Sequence, residues 1–276
     1  MVYTPAMYRA NRDALLQHIL AALSTDERFV AAWLTGSQAR DEEDDLSDLD
    51  LSVVVADAFS EQFCSCSPVA ITDNTNPERL ALYEQFGQPL VLREDRSWLG
   101  EGSCFNHVSY RETALVVDWV FLPQAKAQRP AQSRVLFDKV GIPIVPPAAE
   151  ESLEERKDFA SRDVGFFWLM TTVTLKYMLR RDTVAFYGFI SALYWAIQDV
   201  KKRILGESWH YKRVDYPLAS TMQEQVMLVR QFCNEMLALM PEVVQLGGSV
   251  PDDPMPVIEV WLSMAEDAES EARKTR

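Results

Sequence analysis

The chain has 276 residues, of which 48% are hydrophobic, enough apolar material for one large globular domain or two ordinary ones. Its formal net charge of −14 argues against binding of nucleic acid or anionic membrane, because both need a surface rich in lysine and arginine. The start of the chain lacks the pattern of a secretory signal, and no apolar run is long enough to span a bilayer. A cationic or neutral small substrate fits this composition better.

The first half of the chain alternates helical and strand patterns. Leucine and isoleucine at helical spacing predict an amphipathic helix over residues 6–23. The apolar run 29–36 then predicts a buried strand that ends at Gly36, and residues 49–55 predict a second strand. A loop with many acidic residues separates the two strands.

A short helix and further strands follow. Asn76 as N-cap, Pro77 at the first helical position and Gly87 as a stop predict a helix with well-defined ends. The remaining strand patterns complete a mixed sheet and lie at 89–93, in a hairpin over 104–123, and at 134–139.

The second half of the chain is predicted to be helical. Three prolines at 143, 146 and 147 mark the change, since almost no strand pattern follows them. Asp182 is predicted as a helix N-cap and Gly206 as a helix stop. We therefore predict an α/β (α+β) fold with a mixed-sheet domain over 1–146 and a helical bundle over 147–276. The bundle helices are predicted at 151–181, 182–205, 217–240 and 254–274.

Cysteines and histidines show no site pattern. The four cysteines lack the paired spacing of a zinc or redox site and are too few for a disulfide framework in a chain of this size. They are interpreted as free thiols, which predicts a cytoplasmic protein, and the histidines are interpreted as structural. These residues are Cys64, Cys66, Cys104, Cys233, His18, His107 and His210.

Two aspartates at the head of the second strand form a candidate metal site. Alternation along a strand places Asp48 and Asp50 on one face, while Leu49 and Leu51 point into the core. Oxygen-only ligands favour Mg²⁺ or Mn²⁺ over zinc. Because Mg²⁺ usually keeps positions for substrate phosphates, the pair also predicts a bound nucleotide. Ordinary polar-outward alternation is the alternative explanation.

The residues before this pair fit the phosphate end of a nucleotide. Gly36 allows close approach of the backbone, and Ser37 with the following amides is predicted to open a helix. Arg40, one turn further, is predicted to face the same phosphates. The five carboxylates from Asp41 to Asp45 are interpreted as solvent-facing, without a ligand role. Taken alone, Gly36 and Ser37 also fit a common turn.

A third carboxylate interrupts the second strand of the hairpin. Asp118 has apolar neighbours on both sides, and a buried charge costs several kcal/mol unless it is paired or coordinated. It is therefore predicted to share a metal ion with Asp48 and Asp50. A wet sheet edge or an arginine partner would also account for it.

Gly36-Ser37, Asp48-x-Asp50 and Asp118, in this order, resemble the nucleotidyltransferase superfamily that includes DNA polymerase β. Within it, the chain is most similar in character to the bacterial aminoglycoside and lincosamide nucleotidyltransferases. The resemblance implies that Asp48 and Asp50 bind the metals, and that Asp118 completes the metal site or acts as general base. It also implies that Lys176 contacts the triphosphate, for which a plain surface position is the alternative.

The resemblance also implies a reaction. A nucleoside monophosphate, with AMP from ATP ranked first, would pass to a hydroxyl of a small molecule with release of pyrophosphate. An aminoglycoside is ranked first as acceptor because the chain is acidic, and antibiotic resistance is the matching biological expectation. A lincosamide or protein acceptor, and a nucleotide- or partner-binding protein without turnover, are the alternatives. A homodimer is a further expectation from the resemblance.

Overall fold

The structure is a computed structural model that describes residues 4–65, 76–95, 102–146, 150–207 and 218–274. The chain divides into two compact units, Met1–Ala148 and Ala149–Arg276. The described part of the first unit contains a six-stranded mixed sheet with helices, and that of the second contains helices α5 to α8. The predicted fold class, a mixed α/β fold with a C-terminal helical region, is confirmed.

The strands of the first unit form one sheet in the order β3-β4-β5-β2-β1-β6. Neighbouring strands pair antiparallel except β2 and β5, which run parallel. The strands are β1 (Phe29–Leu34), β2 (Leu49–Val55), β3 (Pro89–Asp95), β4 (Cys104–Tyr110), β5 (Val116–Pro123) and β6 (Arg134–Asp138). The helices are α1 (Pro5–Thr25), α2 (Gly36–Ala39), α3 (Ser60–Cys64) and α4 (Pro77–Glu84).

One face of this sheet lies on the main core of the first unit. Trp119 and Phe121 of β5 are fully buried there and stack with ring centroids 5.9 Å apart. Ile19 of α1 and Tyr83 of α4 belong to the same cluster. We call this side of the sheet the core face, because burying its large apolar side chains is the main stabilising term of the unit.

The opposite side, which we call the site face, is less buried along β5. Side chains of β5 alternate, so that those beside Trp119 in the chain are only half-buried. Nearer β1, Trp33 and Val54 pack against Ile142 in a small separate cluster. The site face is therefore closed toward β1 and half-exposed toward β5.

The helices of the second unit pack around their own core. They are α5 (Leu153–Leu179), α6 (Thr183–Leu205), α7 (Met222–Gln245) and α8 (Met255–Lys274). The predicted ends of α6 are confirmed, since the Asp182 side chain accepts a hydrogen bond from the Ala185 amide at 3.0 Å and Gly206 is left-handed with φ 71°. The prediction for α7 is wrong at both ends, because this helix begins after Thr221 and continues through Pro241. Burial of Val243 beyond the proline outweighs the lost hydrogen bond.

Cysteine chemistry differs from the prediction. Cys104 is disulfide-bonded, so its assignment as a free thiol is wrong. Cys64 and Cys233 are free, and burial raises the pKa of each thiol to about 12. Cys66 lies outside the described residues, as does His210. None of the helices in the described parts of the chain combines the length and apolar character needed to cross a bilayer.

Candidate functional site

Two aspartates from neighbouring parallel strands oppose each other on the site face. The register of β2 and β5 pairs Asp50 directly with Asp118. Paired strands lie about 4.8 Å apart, so both carboxylates project from adjacent positions on the same side. Leu49 and Leu51 are buried on the core face, as strand alternation predicts. A like-charged pair at this position is destabilising unless a cation or proton relieves it.

Gly36 lies against the Asp50 carboxylate. The Thr35 amide donates to the Asp50 carbonyl at 2.9 Å, which brings the turn after β1 beside the head of β2. A Cβ atom on Gly36 would lie 1.9 Å from Asp50 Oδ2, and Gly36 has a left-handed φ of 64°. Glycine is therefore needed here for two reasons, the backbone conformation and the space taken by the carboxylate.

Helix α1 positions Asp48. The Tyr8 hydroxyl lies 3.0 Å from Asp48 Oδ1 and donates a hydrogen bond to it. One turn further along α1, the buried Arg12 guanidinium donates to the carbonyl oxygens of Asp44 at 2.8 Å and Ser47 at 3.2 Å. The loop that ends at Asp48 is thus attached to α1 at three points. Tyr8 is a site residue that sequence reasoning missed, since nothing local links it to Asp48.

The acidic loop is more structured than predicted. Residues 41–43 are exposed, whereas Asp44 and Asp45 are half-buried. Asp44 Oδ1 accepts from the Leu46 amide at 2.9 Å, and Asp45 pairs with Arg9 at 3.0 Å. Their interpretation as solvent-facing residues needs correction, because these two carboxylates stabilise the loop that holds Asp48.

His107 is the partner of Asp118. Its Nδ1 lies 2.6 Å from Asp118 Oδ1, and the β4–β5 register places the two residues opposite each other. Strand β5 lies inside the sheet between β4 and β2, so Asp118 is not at a sheet edge. Sequence reasoning treated His107 as structural. The predicted hairpin was the one signal that could have found this contact, because pairing of its two strands sets His107 opposite Asp118.

The environment raises the pKa of both central carboxyls. Burial raises the pKa of Asp50, and the charges of Asp118 and Asp48 raise it further, while Arg40 acts in the opposite direction. Burial also raises the pKa of Asp118, with a contribution from Asp48, against a lowering by the hydrogen bond from His107. Negative charge is therefore concentrated here beyond what the neighbouring side chains neutralise.

The remaining residues predicted to contact phosphate are Ser37, Arg40 and Lys176. Ser37 lies in α2, and its carbonyl accepts from the Arg40 amide at 3.2 Å. The Arg40 side chain donates to Glu42 Oε2 at 2.9 Å, so its predicted contact with phosphate stays a prediction. Lys176 is exposed on α5 of the second unit, and its predicted contact with the triphosphate also stays a prediction.

The donor set fits a hard divalent cation. Asp48, Asp50 and Asp118 offer carboxylate oxygens only, which is the chemistry that Mg²⁺ and Mn²⁺ prefer. A bound cation would also offset the mutual repulsion that raises the pKa of Asp50. Across the described residues, no three His, Cys, Asp or Glu side chains are already grouped closely enough for a metal. Tyr8 contacts Asp48, and His107 contacts Asp118. These two contacts explain the present orientation of the Asp48 and Asp118 side chains.

Comparison with known proteins adds no family. No family model matches this chain, and no curated protein matches it.

Proposed function

We propose that the chain is a Mg²⁺-dependent nucleotidyltransferase. It would transfer a nucleoside monophosphate, with AMP from ATP ranked first, to a hydroxyl of a small acceptor and release pyrophosphate. The observation that supports this most strongly is the Asp50–Asp118 pair across two parallel strands, with Asp48 beside it and Gly36 against the Asp50 carboxylate. Such a group of unneutralised carboxylates is typical of a site that binds cations and phosphates.

Each residue has a distinct part in the proposal. Asp48 and Asp50 would hold the cation, which when bound favours ionisation of the acceptor hydroxyl and neutralises charge on the triphosphate. Asp118 would either complete this ligand set or accept the proton of the acceptor hydroxyl. His107 orients Asp118 in both cases, because it holds Oδ1 at 2.6 Å. Gly36 leaves room for the Asp50 carboxylate, since a Cβ atom at this position would lie 1.9 Å from Asp50 Oδ2.

The net charge of the chain bears on the choice of acceptor. A net charge of −14 favours a polycationic acceptor and disfavours RNA, so an aminoglycoside is ranked first and resistance to it is the expected phenotype. A lincosamide and a protein hydroxyl are the other acceptors to test. A homodimer stays part of the proposal and is tested by sedimentation.

A cytoplasmic location also belongs to the proposal, since the co-substrate is a nucleoside triphosphate. The disulfide of Cys104 argues against it, because disulfides are rare in reducing compartments. Protein from reducing and oxidising expression hosts can be compared by thiol counting and by the transfer assay. The comparison would show whether the disulfide-bonded or the reduced form of Cys104 is active.

The decisive experiment measures pyrophosphate release with ATP, Mg²⁺ and a panel of aminoglycosides, lincosamides and a hydroxyl-bearing protein. Transfer should require Mg²⁺ and should add the mass of AMP to one acceptor. Asp50→Asn and Asp118→Asn should each abolish transfer without unfolding the chain. Asp41→Asn is the matched control, because this exposed residue has φ 55°, a conformation that asparagine tolerates.

Two outcomes would contradict the proposal. If ATP binds and no acceptor gives pyrophosphate, the alternative of a nucleotide-binding protein without turnover is favoured. If the Asp50→Asn protein transfers AMP as well as the wild type, the carboxylate pair is not the active site.

A further inference from the structure

A separate cavity of about 550 Å³ lies beside α1 in the first unit. Its walls come from α1, the acidic loop, α2 and the first residue of β6. None of Asp48, Asp50, Asp118 and His107 lines it. A volume of this size is typical of pockets for small organic molecules.

Gln38 is the first indication that the cavity binds a ligand. Its side chain lines the cavity with only 4% exposure, and its amide nitrogen is buried without a hydrogen-bond partner in the described structure. An unsatisfied buried donor costs about 1–3 kcal/mol. A ligand oxygen would remove this cost, so Gln38 indicates a hydrogen-bond acceptor in the cavity.

The charged side chains of the wall give the second indication. They balance formally, and four of the six already have partners. Arg9 pairs with Asp45, Arg12 pairs with Asp13, and Asp44 accepts hydrogen bonds from the Leu46 amide and the Ser47 hydroxyl. Arg134 and Glu43 form no ion pair within the described residues. One cationic and one anionic group thus remain for a ligand. The charged residues that line the cavity are Arg9, Arg12, Arg134, Asp13, Glu43 and Asp44.

We propose that this cavity binds a small amphoteric molecule of the amino-acid class. The ligand carboxylate accepts hydrogen bonds from Gln38 and from the Arg134 guanidinium, and the ligand ammonium group lies toward Glu43. Leu16 supplies an apolar contact on the α1 side. A phosphate or dicarboxylate fits less well, because its extra negative charge would lie near Glu43 and Asp44 without a matching cation.

This site does not depend on the proposed transfer reaction, although Gln38 belongs to the same short helix as Gly36. Saturation-transfer NMR followed by calorimetry with the twenty standard L-amino acids tests it. Acetate, methylammonium and inorganic phosphate serve as fragment probes. At least one amino acid should bind with a Kd of about 1 mM or lower, and each fragment should bind at least about tenfold more weakly.

Variants locate the binding. Gln38→Leu, Arg134→Gln and Glu43→Gln should each weaken amino-acid binding about tenfold, as expected for the loss of a hydrogen bond to a charged group. Arg111→Gln, a change of an exposed hairpin residue, should leave binding unchanged. Arg134 and Glu43 are exposed, so their variants keep the test valid if Gln38→Leu fails to fold.

The result that overturns the proposal is equally concrete. It is overturned if no amino acid binds with a Kd of about 1 mM or lower, if phosphate binds more tightly than every amino acid, or if the three cavity variants bind like the wild type. Asp50→Asn is expected to abolish transfer and to retain amino-acid binding. Failure of this inference is therefore distinguishable from failure of the proposed function.

Discussion

The two faces of the sheet both contain paired charged residues, and the pairs differ in sign. On the core face, Arg79 and Glu94 are 1% and 2% exposed and lie 2.5 Å apart as opposite charges. On the site face, Asp50 and Asp118 are half-buried and oppose each other as like charges. The opposite charges of the first pair offset the cost of burying them. Among the described residues, the second pair has only His107 beside Asp118 and the charge of Arg40 acting on Asp50.

The pair on the core face stabilises the fold, whereas the pair on the site face is the basis of the proposed function. Arg79 also donates to the carbonyl of Phe63 at 2.9 Å, so its charge is used within the core. Asp118 contacts half-exposed His107, and the charge of Arg40 acts on Asp50. A site whose charges are not matched internally is suited to a cation and a phosphate. Four predictions test this contrast, from the largest expected effect to the smallest.

Breaking the pair on the core face should have the largest effect. Arg79→Met should lower the free energy of unfolding by about 3–5 kcal/mol, because it leaves Glu94 charged and buried without its partner. Urea unfolding monitored by tryptophan fluorescence measures this. The double variant Arg79→Met, Glu94→Leu should recover most of the loss, since Arg79 Nε and Glu94 Oε2 already lack hydrogen bonds. A single variant as stable as the wild type would contradict the prediction.

Closing the space beside Asp50 should affect transfer next. Gly36→Ala should lower kcat/KM about 100-fold, because the new methyl group displaces the Asp50 carboxylate and a shift of about 1 Å is enough for such a loss. Gly141→Ala is the matched control: it has a similar positive φ of 75° and nothing within 4 Å of the added carbon. Steady-state pyrophosphate release compares the two. An equal loss of activity in both variants would assign the effect to backbone strain, and full activity in Gly36→Ala would contradict the prediction.

Removing the partner of Asp118 should have a moderate effect. His107→Leu, which has no hydrogen-bond donor, should lower kcat about tenfold, as is usual when a group that orients a ligand is lost. The hydrogen bond from His107 lowers the pKa of Asp118, so its loss lets that pKa rise and should move the acid limb of the rate profile to higher pH. Ser109→Ala, on the same strand and face, is the control. An unchanged pH profile would assign His107 a structural part only.

Neutralising Asp50 should change stability least, and in an unusual direction. Its pKa in the folded chain is raised above the ordinary value of 3.8, so the folded state binds this proton more tightly than the unfolded state. The stabilisation is present below pH 3.8 and is lost as the pH rises through the folded pKa. Asp50→Asn without added metal should therefore gain thermal stability relative to the wild type between pH 4 and pH 7. Calorimetry in EDTA checks this, and a relative loss over that range would contradict it.

Local signals explain the parts of the fold that were predictable from sequence. The caps at Asn76 and Asp182 accept hydrogen bonds from amides two or three residues away, so the sequence nearby is sufficient to find them. The end of α7 was not predictable in this way, because the burial of Val243 depends on the other bundle helices. The disulfide of Cys104 was missed for the same kind of reason. Which thiols meet depends on chain segments that only folding brings together.

The residues of the candidate site were also predictable only in part. Alternation along β2 and the apolar neighbours of Asp118 singled out three carboxylates. Tyr8 and His107 were missed, because each reaches the site through a contact between separate elements. The need for glycine at position 36 was predicted, but from phosphate approach, whereas the structure adds the Asp50 carboxylate as a neighbour.

The sequence by itself determined which residues repeat with the period of a strand or a helix, where the caps lie, and which charged residue interrupts an apolar strand. These properties depend on neighbours along the chain. Only the tertiary structure decided that β2 and β5 run parallel with Asp50 opposite Asp118. That register is set by packing of the whole core face, where a slip of one residue would turn buried side chains such as Trp119 toward solvent.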